Sequence, residues 1–348
     1  MAQESVTGRD ELQDVRDLEM PRRGTGCAAE PAEDAHAAIP VILDCDPGHD
    51  DAFAIMLAAA NPAIDLLAVT TVAGNQTLDK TTLNARRIMT AAGISGIPVA
   101  SGRDRPLMAP SGRVATEIHG ESGMDGPSFG EPTVPVVSTD AVGFMHSIIA
   151  NHAEPVTLVV TGPFTNVAAL LLAYPGVPVE RIVVMGGSTE RGNVTPAAEF
   201  NIYADPEAAQ IVFGSGLPVT MVGLNVTHQV LATPSVLSKI SALGTPLAAV
   251  CVDLLTFYAS TYKSLFGFDS PPVHDPLTIA ALIDPAILGC SSAAVTVELN
   301  GTATRGATVV DLDRWTGAAP NCDAAVTVDP TRFWDLMIAA IRDLGDDT

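Results

Sequence analysis

Residues 41–51 read Val41-Ile42-Leu43-Asp44-Cys45-Asp46-Pro47-Gly48-His49-Asp50-Asp51. The opening apolar run is typical of a buried parallel strand, and the Pro-Gly pair predicts a tight turn after it. Phe53 and Met56 then begin an apolar pattern at helical spacing, which ends at Asn61-Pro62. The stretch therefore predicts a strand, a turn and a helix, with four carboxylates at the junction.

The same alternation continues along the chain. Strands are expected at 64–72 and 97–100, on either side of a helix at 78–92. Beyond residue 140 the order is helix, strand, helix, strand, helix, strand, at 141–152, 156–160, 165–173, 181–185, 205–213 and 218–224. A helical region at 234–284, two or three strands and a last helix at 331–344 follow. This order predicts an α/β fold with a mostly parallel central sheet and helices on both faces, a Rossmann-like open sheet whose active site lies at the carboxyl ends of the strands.

Two segments stand apart from this alternation. Residues 101–140 form a long Gly- and Pro-rich stretch without periodicity, which we interpret as an active-site lid. Residues 1–39 contain nine acidic and four basic residues and several Gly and Pro residues, which predicts a flexible acidic N-terminal extension. Because no repeat or linker divides the rest, residues 40–348 are expected to form one catalytic domain.

Composition limits the classes of function. The chain has 40 Asp and Glu against 18 Lys and Arg, a net charge of −22, so it lacks the basic face that a nucleic-acid partner requires. No apolar run is long enough for a transmembrane helix, and residues 1–39 contain no signal-peptide core, so no membrane partner is expected. Five scattered cysteines are typical of reduced thiols, which indicates a cytoplasmic protein.

The four carboxylates of the first junction favour a metal site. Asp44 and Asp46 share one face of the strand, while Asp50 and Asp51 open the helix, where the helix dipole attracts anions. Carboxylates this close repel one another, and a hard divalent cation with oxygen ligands relieves that repulsion. The alternative is helix capping by Asp50 beside solvated turn acids, but capping uses only one Asp or two.

Polar residues also follow two later predicted strands. Thr161 offers a carbonyl or a hydroxyl at a strand end, although a helix cap at Thr165 is the stronger interpretation of that stretch alone. Asn193, Glu199 and Asn201 form a cluster that suits a hydroxyl-rich ligand such as a sugar. A polar surface loop explains their spacing equally well.

Two histidine motifs complete the candidate residues. His274 and Asp275 precede Pro276 and an apolar helix, so a helix cap is favoured over a role for Asp275 as a distant metal ligand. His119 lies in the predicted lid, where a lone histidine is more often a surface residue. The sequence contains no P-loop, no Gly-x-Gly-x-x-Gly after a strand, no Cys-x-x-Cys and no His-Glu-x-x-His, so nucleotide and zinc sites lack support.

From about residue 40 to the C-terminus, the chain resembles the nucleoside hydrolase family, the inosine-uridine and pyrimidine-preferring ribonucleoside N-glycosidases. The long acidic signature at 44–52 is the most specific match. Four shorter motifs follow in the expected order: Gly74-Asn75-Gln76-Thr77, His119-Gly120-Glu121-Ser122-Gly123, Glu199-Phe200-Asn201 and His274-Asp275-Pro276. Five ordered motifs carry more weight than any of the short ones alone.

The resemblance implies a role for each candidate residue. A calcium ion would be held by Asp46, Asp51, the carbonyl of Thr161 and Asp275. Asp46 would accept the proton of the attacking water, and His274 would be the leaving-group acid, with His119 as a second candidate near the base. The residues implied in ribose binding are Asp50, Asn75, Asn193, Glu199 and Asn201. The base would meet Tyr258 and Tyr262, which share one helix face at i and i+4, and more weakly Gln229; ordinary helix packing is the alternative for the tyrosines.

The implied activity is hydrolysis of the N-glycosidic bond of a ribonucleoside, which serves nucleoside salvage or catabolism, by a homodimer or homotetramer. Such a bond breaks through an oxocarbenium-like transition state, which carboxylates and amide oxygens stabilise. Two alternatives are a metal-dependent phosphohydrolase, disfavoured because the acidic signature has no Lys or Arg, and a non-catalytic nucleoside-binding protein.

The sequence departs from the family pattern near the expected base. Asn225 stands where close relatives often have Asp, and Phe266 and Phe268 replace more polar residues. None of the three is an implied metal ligand, so these changes bear on the preferred base and not on the activity.

Overall fold

The computed structural model of the chain describes residues 37–346. In that range the strands are β1 (Ile39–Cys45), β2 (Ile64–Thr71), β3 (Val99–Ser101), β4 (Val136–Ser138), β5 (Val156–Val160), β6 (Val179–Met185), β7 (Val219–Val222), β8 (Leu288–Val297), β9 (Thr308–Asp311) and β10 (Cys322–Val328). The helices are α1 (His49–Ala60), α2 (Leu78–Ala91), α3 (Thr116–His119), α4 (Ala141–Asn151), α5 (Thr165–Ala173), α6 (Phe200–Ala204), α7 (Pro206–Phe213), α8 (Leu224–Thr227), α9 (Pro234–Ser241), α10 (Pro246–Phe266), α11 (Pro276–Ile283) and α12 (Pro330–Asp346).

The strands form a ten-stranded sheet in the order β4-β3-β2-β1-β5-β6-β7-β10-β8-β9. All pairings from β4 through to β10 are parallel, whereas β8 pairs antiparallel with both β10 and β9, so among the described strands β8 alone runs opposite to the rest. The strand order changes direction between β1 and β5, because successive strands are added to opposite sides of β1. Ligands bind at such a switch point in open α/β sheets. The predicted α/β fold with a mostly parallel sheet is confirmed.

Both faces of the sheet are covered by helices, which explains the apolar run at the start of β1. Val41 and Leu43 are fully buried in a core that includes residues of α1, α10, α11 and α12. Ile42, pointing to the opposite face, is fully buried in a second core with residues of α4, α5 and α7. A strand buried on both faces needs apolar residues at successive positions, as the sequence has here.

Helix α10 supplies a long wall beside the carboxyl ends of the strands. Thr245 caps its start by accepting a hydrogen bond from the backbone N–H of Ala248, and Gly267 ends it with a φ of 74°. The buried face of α10 includes Tyr258 and Tyr262, one turn apart. Their predicted position on one helix face is therefore confirmed.

Several short elements were not predicted. Within the proposed lid, α3 and the edge strand β4 interrupt the irregular chain, and α6 and α8 are single helical turns beyond β6 and β7. Elements of three to five residues are too short to establish a periodic pattern, so hydrophobic periodicity does not detect them. Helix α3 matters for the site because it carries His119. The lid function of residues 101–140 stays a prediction.

The start of the domain and the cysteines can also be compared with the predictions from sequence. The proposed acidic extension lies almost wholly outside the described residues, and β1 begins at Ile39, one residue before the expected boundary. Cys45, Cys251 and Cys322 are buried free thiols, as predicted, whereas Cys290 is disulfide-bonded, so the prediction of reduced cysteines is wrong at this residue. Between residues 37 and 346, the helices are all too short or too polar to cross a bilayer.

Candidate active site

Segments that are far apart in sequence meet beyond the carboxyl ends of β1, β2, β5 and β6. The turn after β1 leads into α1, residue 75 follows β2, residue 161 follows β5, and residues 193–201 follow β6. Helices α3, α10 and α11 close the space above them. The residues that line the resulting cavity are Asp50, Asn75, Ala115, Ile118, His119, Thr161, Met185, Asn193, Glu199, Phe200, Asn201, Tyr258, Tyr262, His274 and Asp275.

A cluster of buried carboxylates forms the floor of this cavity. Carboxylate oxygens of Asp50, Asp51 and Asp275 lie within 4.8 Å of one another, and all three residues are buried. Asp46 is fully buried beside them, and its Oδ2 accepts a hydrogen bond of 2.6 Å from the backbone N–H of Asn75. We refer to Asp46, Asp50, Asp51 and Asp275 as the carboxylate cluster.

The raised pKa values in the carboxylate cluster show that its ionised form is unfavourable without a counter-charge. Burial, and then the charge of Asp51, raise the pKa of Asp46 well above its ordinary range. The same two causes raise the pKa of Asp50 to about 7. Burial and the three neighbouring carboxylates raise the pKa of Asp275. A bound cation reverses this tendency because it stabilises the ionised carboxylates.

Asp51 is held in place from three sides. Its Oδ2 accepts hydrogen bonds from the backbone N–H of Gly48, at 3.0 Å, and from the side-chain amide of Asn75, at 3.2 Å. Its Oδ1 accepts a bond of 2.8 Å from the hydroxyl of Thr161. The bond from Gly48 also caps the start of α1. The turn that folds the helix therefore orients the carboxylate as well.

Glycine is required beside Asp46. A Cβ atom on Gly74 would lie 2.1 Å from Asp46 Oδ2 and 2.6 Å from the ring of Pro163, which no real side chain tolerates. A Cβ atom on Gly162 would lie 3.0 Å from Asp46 Oδ1. The backbones after β2 and β5, the two strands that flank β1, thus approach the carboxylate closely and fix its position.

The carboxylate cluster fits a divalent cation. Four buried acidic side chains lack a basic partner, since no Lys or Arg lines the cavity among the described residues. Asp46 Oδ1 is buried and has no hydrogen-bond partner within residues 37–346, and a buried oxygen of this kind is costly unless a ligand satisfies it. The cluster is thus a set of hard oxygen donors of the kind that binds Ca²⁺ or Mg²⁺.

Amide and carboxyl groups form the side of the cavity next to β6. Glu199 caps α6 by accepting hydrogen bonds from the backbone N–H groups of Asn201 and Ile202, and it also accepts one from Gly187. Burial raises the pKa of Glu199 to about 7. The side-chain amide of Asn201 donates to the carbonyl of Thr161 at 2.7 Å. The buried Oδ1 of Asn193 has no partner among the described residues, so it is free for a ligand.

His274 is held at both of its ring nitrogens by protein hydroxyls. Nδ1 lies 2.7 Å from the hydroxyl of Thr227, and Nε2 lies 2.8 Å from the hydroxyl of Tyr262. Tyr258 in turn donates a hydrogen bond of 3.4 Å to Tyr262. Burial, and then His228, lower the pKa of His274. Any exchange of a proton between His274 and a ligand must therefore pass through a hydroxyl.

His119 faces the cavity from α3 and packs against the start of α1. Its Nδ1 lies 3.1 Å from Nδ1 of His49, a buried residue of the acidic motif to which sequence reasoning gave no role. A Cβ atom on Gly48 would lie 2.7 Å from the His119 ring, so the glycine allows this approach. We refer to His49, His119, Tyr258, Tyr262 and His274 as the aromatic wall.

The cavity is small and adjoins a larger one. It encloses about 40 Å³. The adjoining cavity encloses about 260 Å³ and shares Asn193 and Tyr262 with the first. Its remaining lining residues are Arg191, Gly192, Thr195, Pro196, His228, Phe266 and Phe268.

The structure brings most of the sequence-predicted residues together. Asp50, for which the resemblance implied only ribose binding, is itself a member of the carboxylate cluster. Gln229 is the exception: its side chain is exposed and donates to the carbonyl of Asn225, so it does not reach the cavity. Sequence reasoning missed His49 and Thr227. His49 stands inside the quoted motif, whereas Thr227 carried no signal because only the fold places it beside His274.

Comparison with known proteins identifies the family. Residues 41–335 match the family model described as inosine-uridine preferring nucleoside hydrolase. The chain is 47% identical to the pyrimidine-specific ribonucleoside hydrolase RihA of Escherichia coli O7:K1 over 308 residues, 88% of this chain and 99% of that protein. It is 48% identical to the protein of the same name from Enterobacter sp. (strain 638), over 86% of this chain and 96% of that one.

Solved structures of related proteins agree with this assignment. The purine-preferring ribonucleoside hydrolase from Gardnerella vaginalis superposes with a TM-score of 0.83 at 32% identity, over 89% of this chain and all of that one. A plant nucleoside hydrolase, PpNRh1, gives a TM-score of 0.81 at 33% identity, over 87% of this chain and 98% of that one. Because proteins named for purines and for pyrimidines share the fold, the fold alone does not set the preferred base. The chain belongs to the inosine-uridine preferring nucleoside hydrolase family.

Proposed function

We propose that this protein hydrolyses the N-glycosidic bond of pyrimidine ribonucleosides in a Ca²⁺-dependent reaction that releases ribose and the free base. The observation that carries the proposal is the carboxylate cluster, with its free Asp46 Oδ1, at the floor of a cavity lined by amides and hydroxyls. The pyrimidine preference rests on the curated relatives, which are named pyrimidine-specific.

The ligands of the calcium ion would be Asp46, Asp51, the carbonyl of Thr161 and Asp275. The observed contacts support them, because Thr161 and Asp51 are hydrogen-bonded to each other and Asp275 lies beside Asp51. The proximity of Asp50 makes it a further candidate. When bound, a divalent cation supplies Lewis acidity, which makes water more acidic and orients the hydroxyl groups of the ribose.

Asp46 is the residue best placed to take a proton from the attacking water. One of its oxygens is fixed by the backbone N–H of Asn75, while the other has no partner among the described residues. A general base needs a free oxygen in a fixed position, and the close approach of Gly74 holds the carboxylate still. The water that loses its proton attacks the anomeric carbon of the ribose.

The walls next to β2 and β6 would hold the ribose and stabilise its transition state. The candidate groups are Asp50, Asn75, Asn193, Glu199 and Asn201. As the glycosidic bond breaks, positive charge develops on the sugar ring, and negative or electron-rich oxygens at fixed positions lower the energy of that state. The hydrogen bonds that hold Glu199 and Asn201 provide this fixed arrangement before the substrate arrives.

The departing base would meet the tyrosines and not the ring of His274 itself. Both nitrogens of His274 are bonded to hydroxyls, and Tyr262 stands between that ring and the neighbouring cavity. His274 then orients the hydroxyl of Tyr262, and that hydroxyl hydrogen-bonds the base as negative charge accumulates on it. The aromatic lining of the larger cavity, with Phe266 and Phe268, gives the base an apolar surface.

The two alternatives receive less support. Phosphoryl transfer uses cationic groups to hold the phosphate, and no Lys or Arg lines the acidic cavity among the described residues. A protein that binds nucleosides without turnover does not need a free carboxylate oxygen beside the site. Both alternatives remain outcomes of the test below.

The test is release of free base from a panel of nucleosides by the purified protein. With Ca²⁺ present, uridine and cytidine should be hydrolysed faster than inosine, and 2′-deoxyuridine should react far more slowly because it lacks one hydroxyl of the diol. Removal of metal with EDTA should abolish the reaction, and added Ca²⁺ should restore it. Binding of uridine without release of uracil would support the binding protein, and hydrolysis of a phosphomonoester would support the phosphohydrolase.

The cellular setting is also part of the proposal. We propose a cytoplasmic homodimer or homotetramer; three of the five cysteines, Cys45, Cys251 and Cys322, are free thiols and support the cytoplasmic setting. Light scattering coupled to size-exclusion chromatography would give the mass of the assembly directly. A monomeric mass at the concentration used for activity would contradict the oligomer.

A further inference from the structure

The antiparallel pair β8 and β9 lies outside the cavity, and the reaction scheme gives it no task. In the part of the chain that the structure describes, neither strand contributes a residue to the small cavity or to the adjoining larger one. The start of β9 nevertheless contacts the segment between β6 and α6. We refer to this segment, residues 186–199, as the β6–α6 loop. It carries Asn193 and Glu199, two of the groups proposed to hold the ribose.

The connection between β8 and β9 is anchored beside this loop. Arg305 donates to both carboxylate oxygens of Glu207 on α7, at 2.6 and 2.9 Å. A Cβ atom on Gly306 would lie 3.0 Å from Cα of Tyr203 and 3.4 Å from Cβ of Ala198, so the backbone of the connection packs against the end of the loop and against α6. The start of β9 is therefore held in a defined position next to the β6–α6 loop.

The hydroxyl of Thr308, the first residue of β9, holds the beginning of the loop. It donates to the backbone carbonyl of Ser188 at 2.8 Å and accepts from the backbone N–H of the same residue at 2.9 Å. A hydroxyl can do both because it has one O–H and two lone pairs. Ser188 is buried, so its backbone groups need protein partners, and Thr308 supplies a partner for each.

The residue before Ser188 is the one that orients Glu199. The backbone N–H of Gly187 donates to Oε2 of Glu199 at 2.9 Å. Gly187 has a φ of 71°, and a Cβ atom on it would lie 2.7 Å from Thr308, so this position requires glycine. Because glycine is conformationally permissive, its own backbone does not hold the N–H in one direction. The bonds from Thr308 to the next residue supply that restraint.

We propose that Thr308 is a positioning residue: its hydroxyl holds Ser188, keeps the N–H of Gly187 directed at Glu199, and so keeps the Glu199 carboxylate fixed toward the ribose. This inference rests on the proposed function and deepens it, because it gives a strand outside the cavity a part in the reaction. Glu199 accepts two N–H groups from its own helix, and Gly187 adds a donor from outside that helix.

Two variants of Thr308 separate the hydroxyl from the shape of the side chain. Thr308→Val keeps the shape without the hydroxyl, and Thr308→Ser keeps the hydroxyl. A fixed carboxylate serves mainly the transition state, so kcat for uridine should fall about tenfold in Thr308→Val, the effect of one hydrogen bond, with KM changed less than about twofold. Thr308→Ser should stay near wild type.

The matched control is Thr296→Val, the same change at an exposed position of β8 that pairs with Val309 of β9. It should leave kcat unchanged. An unchanged kcat in Thr308→Val, or an equal loss in Thr308→Ser, would overturn the proposal. A loss of the same size in the control would also overturn it, because the hydroxyl of Thr308 would then have no particular role.

Amide hydrogen exchange measured by NMR tests the same contact without requiring activity. In wild type the N–H of Gly187 should be protected, and in Thr308→Val it should exchange about tenfold faster, while Thr308→Ser and Thr296→Val leave its rate unchanged. An unprotected Gly187 N–H in wild type, or a rate that is the same in Thr308→Val, would overturn the inference even if the protein hydrolyses uridine. If wild type releases no base while exchange responds as expected, the proposed function fails and the hold of Thr308 on Gly187 stands.

Discussion

The carboxylate cluster and the aromatic wall face each other across one cavity, yet they are built differently. Three of the four carboxylates come from a six-residue stretch after β1, and backbone N–H groups of Gly48 and Asn75 hold two of them. The aromatic wall instead draws residues from α1, α3, α10 and the segment just before α11, and its polar atoms bond mostly to one another. Most of the first region comes from one local turn, to which the fold adds Asp275, whereas the second region depends entirely on contacts between distant segments.

The two regions serve different parts of the reaction, and their construction reflects this. A cation and an attacking water demand carboxylates at invariant positions, which a strand end with close glycine contacts provides. Recognition of the base demands shape and hydrogen bonds that vary between relatives of the same fold, some named for purines and some for pyrimidines. We therefore expect substitutions in the carboxylate cluster to abolish turnover, and substitutions in and around the aromatic wall to reduce or redirect it.

The largest effect is expected for Asp46→Asn. The variant keeps the size of the side chain but removes the base that accepts the proton of water, so kcat should fall about 10²- to 10⁴-fold. Steady-state kinetics on uridine with saturating Ca²⁺ measure this. The matched control is Asp44→Asn, a buried acid near the end of β1, two residues before Asp46, whose carboxylate accepts hydrogen bonds from Thr70 and Asn166. Equal kcat losses in the two folded variants would contradict the role of Asp46 as the base that accepts the proton of water.

A smaller effect is expected for Tyr262→Phe in the aromatic wall. The substitution removes the hydroxyl that lies 2.8 Å from His274 Nε2 but keeps the ring, so kcat should fall roughly 10- to 100-fold while KM changes little. Tyr174→Phe, which alters a tyrosine stacked on His146 away from the cavity, serves as the control. An unchanged kcat in Tyr262→Phe would show that the hydroxyl of Tyr262 does not assist the departing base.

The next prediction concerns the larger cavity. Phe268→Leu should shift the ratio of kcat/KM between uridine and inosine by about tenfold, a size typical of one altered apolar contact in a specificity pocket. The change should come mainly from KM, because Phe268 contacts His228 and Tyr262 and not the carboxylates. Kinetics on the two nucleosides measure the ratio, and an equal loss on both would indicate a general defect.

The smallest effect is expected for Gln229→Ala. Its side chain is exposed and bonded to the carbonyl of Asn225, so kcat/KM for each pyrimidine nucleoside should change less than about twofold. The same kinetic assay measures it. A tenfold loss would show that Gln229 moves into the site when substrate binds, and would restore the role that the family resemblance implied.

The same contrast explains what the sequence predicted. The strands, the long helices and the acidic turn follow from apolar runs and a contiguous motif, so residues such as Asp46 and Asp51 were identified without a structure. Family resemblance added Asn75 and favoured the functional interpretation of Glu199 and Asp275, which the residues alone had left open. Contacts between distant segments, such as the bond between Thr227 and His274, are set by tertiary packing and left no pattern to detect.

His49 and Gln229 show the two ways in which sequence reasoning fails at a site. His49 was visible inside the motif, but its bonds to Asp125 and His119 depend on α3, a four-residue helix without a periodic signal. Gln229 lies two residues from Thr227, which bonds to His274, but its own side chain is exposed and bonds to the carbonyl of Asn225. Both cases concern side-chain direction, which spacing along the chain does not determine in irregular segments.

The central claim is that the carboxylate cluster holds one divalent cation, and calorimetric titration of Ca²⁺ into metal-depleted protein tests it most directly. Asp205→Asn provides the control, because Asp205 is a buried acid that caps α7 outside the cluster. We predict one site per chain in wild type and in the control, and an affinity at least about 100-fold weaker in Asp275→Asn. Absence of binding to wild type, or equal affinity in Asp275→Asn, would contradict the account.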